Sequence, residues 1–501
     1  MNHSDTDYNP RGIDMKKLAT LSILLISSTA WSQANINMMD LVKKDHTFIQ
    51  SQLNSSNCAT YLKEINDQVE VLGPKDMDLS RVKDEAAQII KESFISRLDL
   101  QKKFKAMESQ NPVEKECVNQ VRRKINASRM LEEYVAQIGE LNTETDVLSG
   151  SEPYLLVNPD FKEFKLQSGD ILISRGNAVV SAAIARIGDQ EGLFSHAAMV
   201  YVDKKTNKTY AIEAHLEIGT DVAPIEEKYM RDGKVRSIVY RPKDKALAER
   251  AGEIAYKRAK AGLDKNSRIL YDFAMDMNEE EKLFCSEVPF MAYNNASNGS
   301  FLLGDRHQTS FHQKTNRSFL DGIGVKANET FSPSDVELDS KLELVAEWRD
   351  LGQAYKTHRK DAVMASVYKW LEKDGYRLDV SQSTLKARMV IFLRHMPLFG
   401  SLLKNSIAKN ITKSTLRTMM MMDAAGSAML DALIESYDQY KQQTGYPMTY
   451  PQMLAALEEL KTEDLERDAY FKEWQRANPV QGGDSSTIRP DESRFVKFFK
   501  R

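Results

Sequence analysis

Few residues in this chain combine the type and the setting for covalent chemistry, and the clearest is in "KLFCSEVPFMAYN", residues 282–294. That stretch puts Cys285 at the head of an apolar, helix-like run. Nucleophilic cysteine chemistry needs a thiolate, a base beside it and a third group that orients the base. A helix start favours the thiolate, because unpaired backbone N–H groups and the macrodipole stabilise an anion there. Pro289 is tolerated in a helix only near its beginning, which agrees with Cys285 at the N-terminal end. The Cys285 backbone N–H is then also the natural donor to an oxyanion.

The base has to come from eight histidines. His196 opens a strand-like stretch directly after a Gly-containing loop, in "GDQEGLFSHAAMV". His215 lies on the next strand, with Glu213 two residues earlier on the same strand face. Either can reach the His196 imidazole, and spacing alone does not separate them. A carboxylate there would hold the productive tautomer and stabilise the imidazolium. A lone Cys is commonly a small buried hydrophobe, so these residues by themselves define a candidate thiol site and no more.

The remaining cysteines bear on the compartment. With only Cys58, Cys117 and Cys285 in the chain, an oxidising environment would pair two and leave one. Cys58 and Cys117 share a helical N-terminal region and are the expected disulfide, closing a loop worth roughly 4 kcal/mol in the chain-entropy model. From Met15 the chain reads "MKKLATLSILLISSTAWSQAN", a lysine pair, a short apolar run and small residues, as in a cleaved secretory signal. The apolar run is too short for a comfortable membrane span. Translation is therefore expected to begin at Met15 and the mature protein to be secreted or periplasmic.

The elements that must position the site follow from texture. At 501 residues, 42% hydrophobic and 28% charged, with net charge −3, the chain has room for about three domains. That balance argues against a nucleic-acid partner. After the extension and signal (1–34), residues 35–150 show apolar positions at three- and four-residue spacing, a helical domain. "NTETDVLSGSEPYLLVNPD" reads as a linker. Residues 155–350 change to β texture. "GDILISRG", a hairpin around "DKKTNK" and "VRSIVYRP" read as strands, "NAVVSAAIARIGDQ" and "DKALAERAGEIAYKRAKAG" as helices. This order predicts an α+β unit with a mostly antiparallel sheet. Residues 352–477 return to helices, and 478–501 read as a polar tail without fixed structure.

Taken in order, "GDILI" (169–173), "SHAAMV" (195–200), "AIEA" (211–214), "YDF" (271–273), "FCSE" (284–287) and "FSPSDVELD" (331–339) resemble the permuted papain-like amidases, the YaeF/YiiX-like branch of the NlpC superfamily. The likeness covers roughly residues 155–350 and neither helical flank. In that branch a circular permutation puts the His before the Cys, as His196 precedes Cys285 here. The resemblance implies a permuted papain-like domain between two mainly helical domains. It implies Cys285 as nucleophile, His196 as base and Glu213 as third member. Tyr271 and Asp272 would line the substrate cleft, with Asp170 and His215 assigned beside them. It further implies hydrolysis or transfer at an amide, ester or thioester acyl bond, with no cofactor. For an exported protein the leading substrates are peptides or acylated small molecules, peptidoglycan stem peptides first. The rivals are lipid acyl chemistry of the lecithin–retinol acyltransferase kind and an envelope-binding module with no activity.

Other stretches carry less. Asp305, His307 and His312 in "GDRHQTSFH" lack any metal-ligand spacing, and no metal site is expected. The apolar, basic segment 384–410 would suit a membrane surface, but core helices explain it more simply.

Overall fold

The computed structural model describes residues 36–141, 154–162, 164–227, 229, 233–311, 317–383, 408–478 and 490–501. The signal-like stretch, most of the linker, His312 and nearly all of 384–410 lie outside them. Four helices come first, α1 (Met38–Ser51), α2 (Cys58–Glu70), α3 (Leu79–Gln110) and α4 (Lys115–Ile138). Asn37 caps α1 by accepting from the Met39 and Asp40 amides, and Asp78 caps α3 by accepting from Arg81. The expected disulfide is present. Cys58 opens α2, Cys117 lies in the first turn of α4, and their Cα atoms are 5.4 Å apart among Leu62, Phe104 and Val121.

The centre is one antiparallel seven-stranded sheet. Its strands are β1 (Tyr154–Val157), β2 (Ile171–Gly176), β3 (His196–Val202), β4 (Thr209–His215), β5 (Gly219–Pro224), β6 (Lys234–Pro242) and β9 (Leu342–Arg349), in the order β1-β9-β6-β2-β3-β4-β5. Two short strands, β7 (Thr309–Ser310) and β8 (Glu329–Thr330), pair apart from it. The helices of this region are α5 (Val179–Ala185), α6 (Lys245–Asp264), α7 (Glu287–Ala296) and α8 (Ser318–Ile323). The α+β expectation holds. One detail differs: Tyr154–Val157, read as the end of the linker, is an edge strand paired with β9. Four residues between turn-formers show no usable period, and only the distant partner makes them a strand.

Alternation along the strands loads both faces of the sheet. Ile171, Ile173, Ala197, Met199 and Ile212 join the main core beneath the helices, while Leu172, Ala198, Val200 and Ala211 pack with Trp348. The main core continues without a break from α3 and α4 into α9 (Leu351–Glu372), α10 (Lys413–Thr444) and α11 (Tyr450–Ala477). A buried ionic cluster crosses the same junctions. Arg97 reaches Glu132 at 2.8 Å and Glu347 at 2.9 Å, Arg349 reaches Glu132 at 2.6 Å, and Arg236 and His358 hold Glu133 at 2.5 and 2.7 Å.

The expected polar tail needs correcting over 490–501. Phe495 stacks on Trp370, Asp464 accepts the amides of Arg494, Phe495 and Val496, and β11 (Phe499–Lys500) pairs with β10 (Arg377–Leu378). Three buried apolar side chains in "RFVKFF" outweigh the polar stretch before them. Among the described residues no helix is long and apolar enough to cross a membrane.

Candidate active site

Strand geometry brings His196 to Glu213. The β3–β4 ladder pairs Ala198 with Glu213, and His196 shares the Ala198 face, so Glu213 is its diagonal neighbour across the strands. The contact is direct, His196 Nε2 to Glu213 Oε2 at 2.8 Å. His215, on the same face of β4, puts Nε2 3.3 Å from Glu213 Oε1, and its ring stacks on His196 with centroids 5.4 Å apart. Glu213 is wholly buried, whereas the His196 and His215 side chains keep 18% and 24% exposure, so the carboxylate is inside and the imidazoles face outward. Of the two groups that spacing left open, Glu213 is the one bonded to His196.

Charge settles the protonation of this cluster. Burial alone would raise the Glu213 carboxyl, but hydrogen bonds from His196 and His215 and the positive charges of His196 and Lys234 outweigh it and hold it well below the usual range. Burial lowers His196, and the neighbouring His215 and Lys234 cations add to this, so the Glu213 bond does not restore it. Lys234 opens β6 with Nζ 3.9 Å from Glu213 Oε2 and donates to the Tyr229 carbonyl at 3.1 Å. Nothing in the sequence around Lys234 pointed to this role, because the contact joins strands distant in the chain.

Cys285 precedes Ser286, the N-cap of α7, as the Pro289 argument required. It is the free cysteine, 5% exposed. The approach to it is built by backbone pairing: Leu270 bridges Lys282, and the Leu283 amide donates to the Leu270 carbonyl at 3.0 Å. The strand side is fixed at Gly219, where φ is +76° and an added Cβ would fall 2.1 Å from the Ile269 carbonyl oxygen. The Thr220 amide donates to that oxygen at 2.8 Å. Glu287 closes the turn by accepting from the Phe284 amide at 2.8 Å.

The thiol meets the histidine strand at its end. The β3–β4 ladder stops at Ala198, and beyond it the Ala197 amide, one residue from His196, is among the backbone donors to the sulfur. The Ser286 and Cys285 amides are the others. These donors pull the thiol pKa down, yet burial outweighs them and leaves it above its ordinary value, contrary to the expectation from the helix start. No hydrogen bond joins Sγ to His196 among the described residues. Because His196 Nε2 is engaged by Glu213, Nδ1 is the ring nitrogen left for proton exchange with a thiol.

The remaining assigned residues divide. Tyr271 is buried beside Cys285, against the Phe273 ring. Burial drives its phenol far up, helped by the negative charge of Cys285, Asp272 and Glu287. Its carbonyl accepts from Asn410 at 2.8 Å, so the chain leading into α10 touches the site. Asp272 is adjacent, with both oxygens accepting amides of its own loop, from Ala274 at 2.9 Å and Asp276 at 2.8 Å. Asp170 is not brought to the site. It sits beside Val200, four residues and about 13 Å along β3 from His196. Arg241 holds it there through two 2.7 Å bonds. Asp305 and His307 are likewise remote, paired with Lys341 at 2.5 Å and Glu108 at 3.4 Å.

Comparison with known proteins agrees with the earlier resemblance. Residues 165–346 match the family described as permuted papain-like amidase enzyme, YaeF/YiiX, C92. A crystal structure of the metalloprotein YiiX from Escherichia coli O157:H7 is similar at 20% identity and a TM-score of 0.26, over 36% of this chain and 97% of that one. No curated protein matches the chain. The matched segment, residues 165–346, is well under half of the chain and is the part that carries His196, Glu213 and Cys285.

Proposed function

We propose that the protein is an exported cysteine hydrolase that cleaves an amide acyl bond through Cys285, His196 and Glu213. The observation that carries this reading is the 2.8 Å His196–Glu213 pair at the strand end whose Ala197 amide stands by the free Cys285 thiol. His196 Nδ1 takes the thiol proton as Sγ attacks the acyl carbon, and backbone N–H groups around Cys285 receive the oxyanion. The C–N bond breaks as His196 returns the proton to the departing amine, leaving a thioester on Cys285. Water then attacks the thioester, His196 takes its proton and delivers it to sulfur, and the acid leaves. Glu213 stays ionised throughout and holds the imidazole in its working tautomer.

The Cys58–Cys117 disulfide supports an oxidising compartment, which accords with the signal-like N-terminus. Cell-wall stem peptides are the substrate class favoured by that location. The test is turnover of peptidyl amides and small acyl esters, with the protein quenched in acid and weighed intact. An acyl adduct on Cys285, absent in Cys285→Ser, is the expected result. Amide cleavage that persists in Cys285→Ser overturns the proposal.

A further inference from the structure

The cluster that orients the base also has the composition and spacing of a metal site. One donor atom from each of His196, Glu213 and His215 lies within 4.8 Å of the other two. Two imidazole nitrogens and one carboxylate oxygen form a borderline-soft set that suits Zn²⁺ and its neighbours better than Mg²⁺ or Ca²⁺. Around a tetrahedral ion with ligand bonds of about 2.0–2.2 Å, donor atoms lie roughly 3.3–3.5 Å apart. Here His215 Nε2 stands 3.3 Å from Glu213 Oε1, and His196 Nε2 2.8 Å from Oε2. Both separations are within about half an ångström of that spacing, and the remaining pair of donors lies within 4.8 Å. The imidazole planes are only 20° apart, so the two rings stand side by side over one carboxylate. The second observation is burial: Glu213 is 0% exposed, with an imidazole nitrogen against each of its oxygens, His196 Nε2 at Oε2 and His215 Nε2 at Oε1. Adjacent strands carry all three side chains, so the set is held by sheet backbone and not by a loop.

We infer that His196, Glu213 and His215 bind one divalent transition-metal ion, with zinc the best match, and that its occupancy silences the Cys285 thiol. The second clause rests on the proposed function. A cation on His196 Nε2 displaces Glu213 from its orienting bond and draws electron density from the ring, which makes Nδ1 a poorer proton acceptor. Lys234 Nζ, 3.9 Å from Glu213 Oε2, opposes the ion electrostatically and sets the affinity below that of a dedicated structural site. Three protein ligands leave a coordination position open. Cys285 is not one of the clustered donors, so binding does not require it.

The experiment titrates the metal-stripped full chain with Co²⁺, read by visible d–d absorption, and then displaces it with Zn²⁺. Saturable one-to-one binding is expected, unchanged in Cys285→Ser, and weakened by roughly tenfold or more in both His215→Ala and Glu213→Gln. His215→Ala alters a partly exposed side chain and keeps the test sound if the buried Glu213 change harms folding. No saturable binding, or binding indifferent to His215→Ala, overturns the site. In a second arm the alkylation rate of Cys285 is measured with and without Zn²⁺. Slowing in the wild type but not in His215→Ala supports silencing, and an unchanged wild-type rate overturns that clause. A thiol inert without any metal would instead count against the hydrolase reading, with the absorption titration still judging the metal site.

Discussion

Two histidine–glutamate pairs in this molecule are nearly identical in length and opposite in setting. His196–Glu213 measures 2.8 Å and His358–Glu133 measures 2.7 Å. Glu133 is also gripped by Arg236 through 2.5 and 2.6 Å bonds, and both it and His358 are sealed between α4, β6 and α9. Glu213 has imidazoles on both oxygens, a lysine at 3.9 Å, and a partly exposed histidine whose neighbour in the chain, Ala197, turns its amide to the free thiol. The first pair is a strut, and the second is the one proposed to work on substrate. A histidine–carboxylate bond therefore does not identify a catalytic site. What distinguishes it is an imidazole with one nitrogen still uncommitted and a nucleophile at hand.

The sharpest way to break this contrast is by activity. His196→Ala is expected to lower turnover by about 10²–10⁴-fold, the usual worth of a positioned base, whereas His358→Gln acts on stability and leaves the chemistry of the folded protein intact. Steady-state rates normalised to folded protein read the difference. The next effect is on stability. Glu133→Ala strands Arg236 and is expected to cost about 3–5 kcal/mol in urea unfolding, well above the cost of changing the partly exposed His215.

The same cluster sets the response to acid. Burial would raise Glu133 and Asp361, but the buried arginines outweigh it and hold both well below the carboxylate range. Carboxylates depressed in the folded state stabilise it fully above their unfolded values and lose that contribution as pH falls through the folded ones. Urea midpoints are therefore expected to fall steadily below about pH 4.5.

Glu287, two residues from Cys285, behaves in the opposite sense. Burial pushes it up to about 9, with Asp272, Asp276 and Glu280 adding negative charge, while the Phe284 amide pulls it down. A carboxyl raised in the folded state stabilises it below the unfolded value and loses that contribution as pH rises toward 9. Glu287→Gln is expected to flatten the decline in stability from pH 6 to 9 by about 1–3 kcal/mol, seen in melting curves across that range.

A third pair gives the smallest effect. His46 bonds Glu92 at 2.7 Å and Asp99 at 2.8 Å near the surface of α1 and α3. Burial opposes its protonation, but the two carboxylates prevail and raise its pKa. Its contribution is then complete below about pH 6.5 and lost as pH rises through the folded value. His46→Gln is expected to cost no more than about 1 kcal/mol at pH 6 and less at pH 9.

How much of this was legible depended on whether the signal was local. Alternation in "SHAAMV" and "AIEAH" showed two strands and put Glu213 and His215 on one face, and Pro289 marked the start of α7. Which residue touched His196 required the ladder register, which two strands and a turn do not determine by themselves. Arg236, His358 and Asn410 were illegible because each meets its partner across more than a hundred residues with no pattern around it. Asp170 stood in a recognisable motif, yet its carboxylate serves an internal ion pair with Arg241. The thiol misled in another way. Its position at a helix start was readable, but its burial was not, and burial decides the direction of its pKa.

The most direct test of the central claim is the alkylation rate of Cys285 by iodoacetamide as a function of pH, in the wild type and in His196→Ala. A thiol raised by burial beside a lowered histidine predicts a midpoint above the free-cysteine value of roughly 8.5, with slower reaction near pH 7 once His196 is removed. A rate profile identical in the two proteins would contradict the account and leave Cys285 a buried thiol with no base.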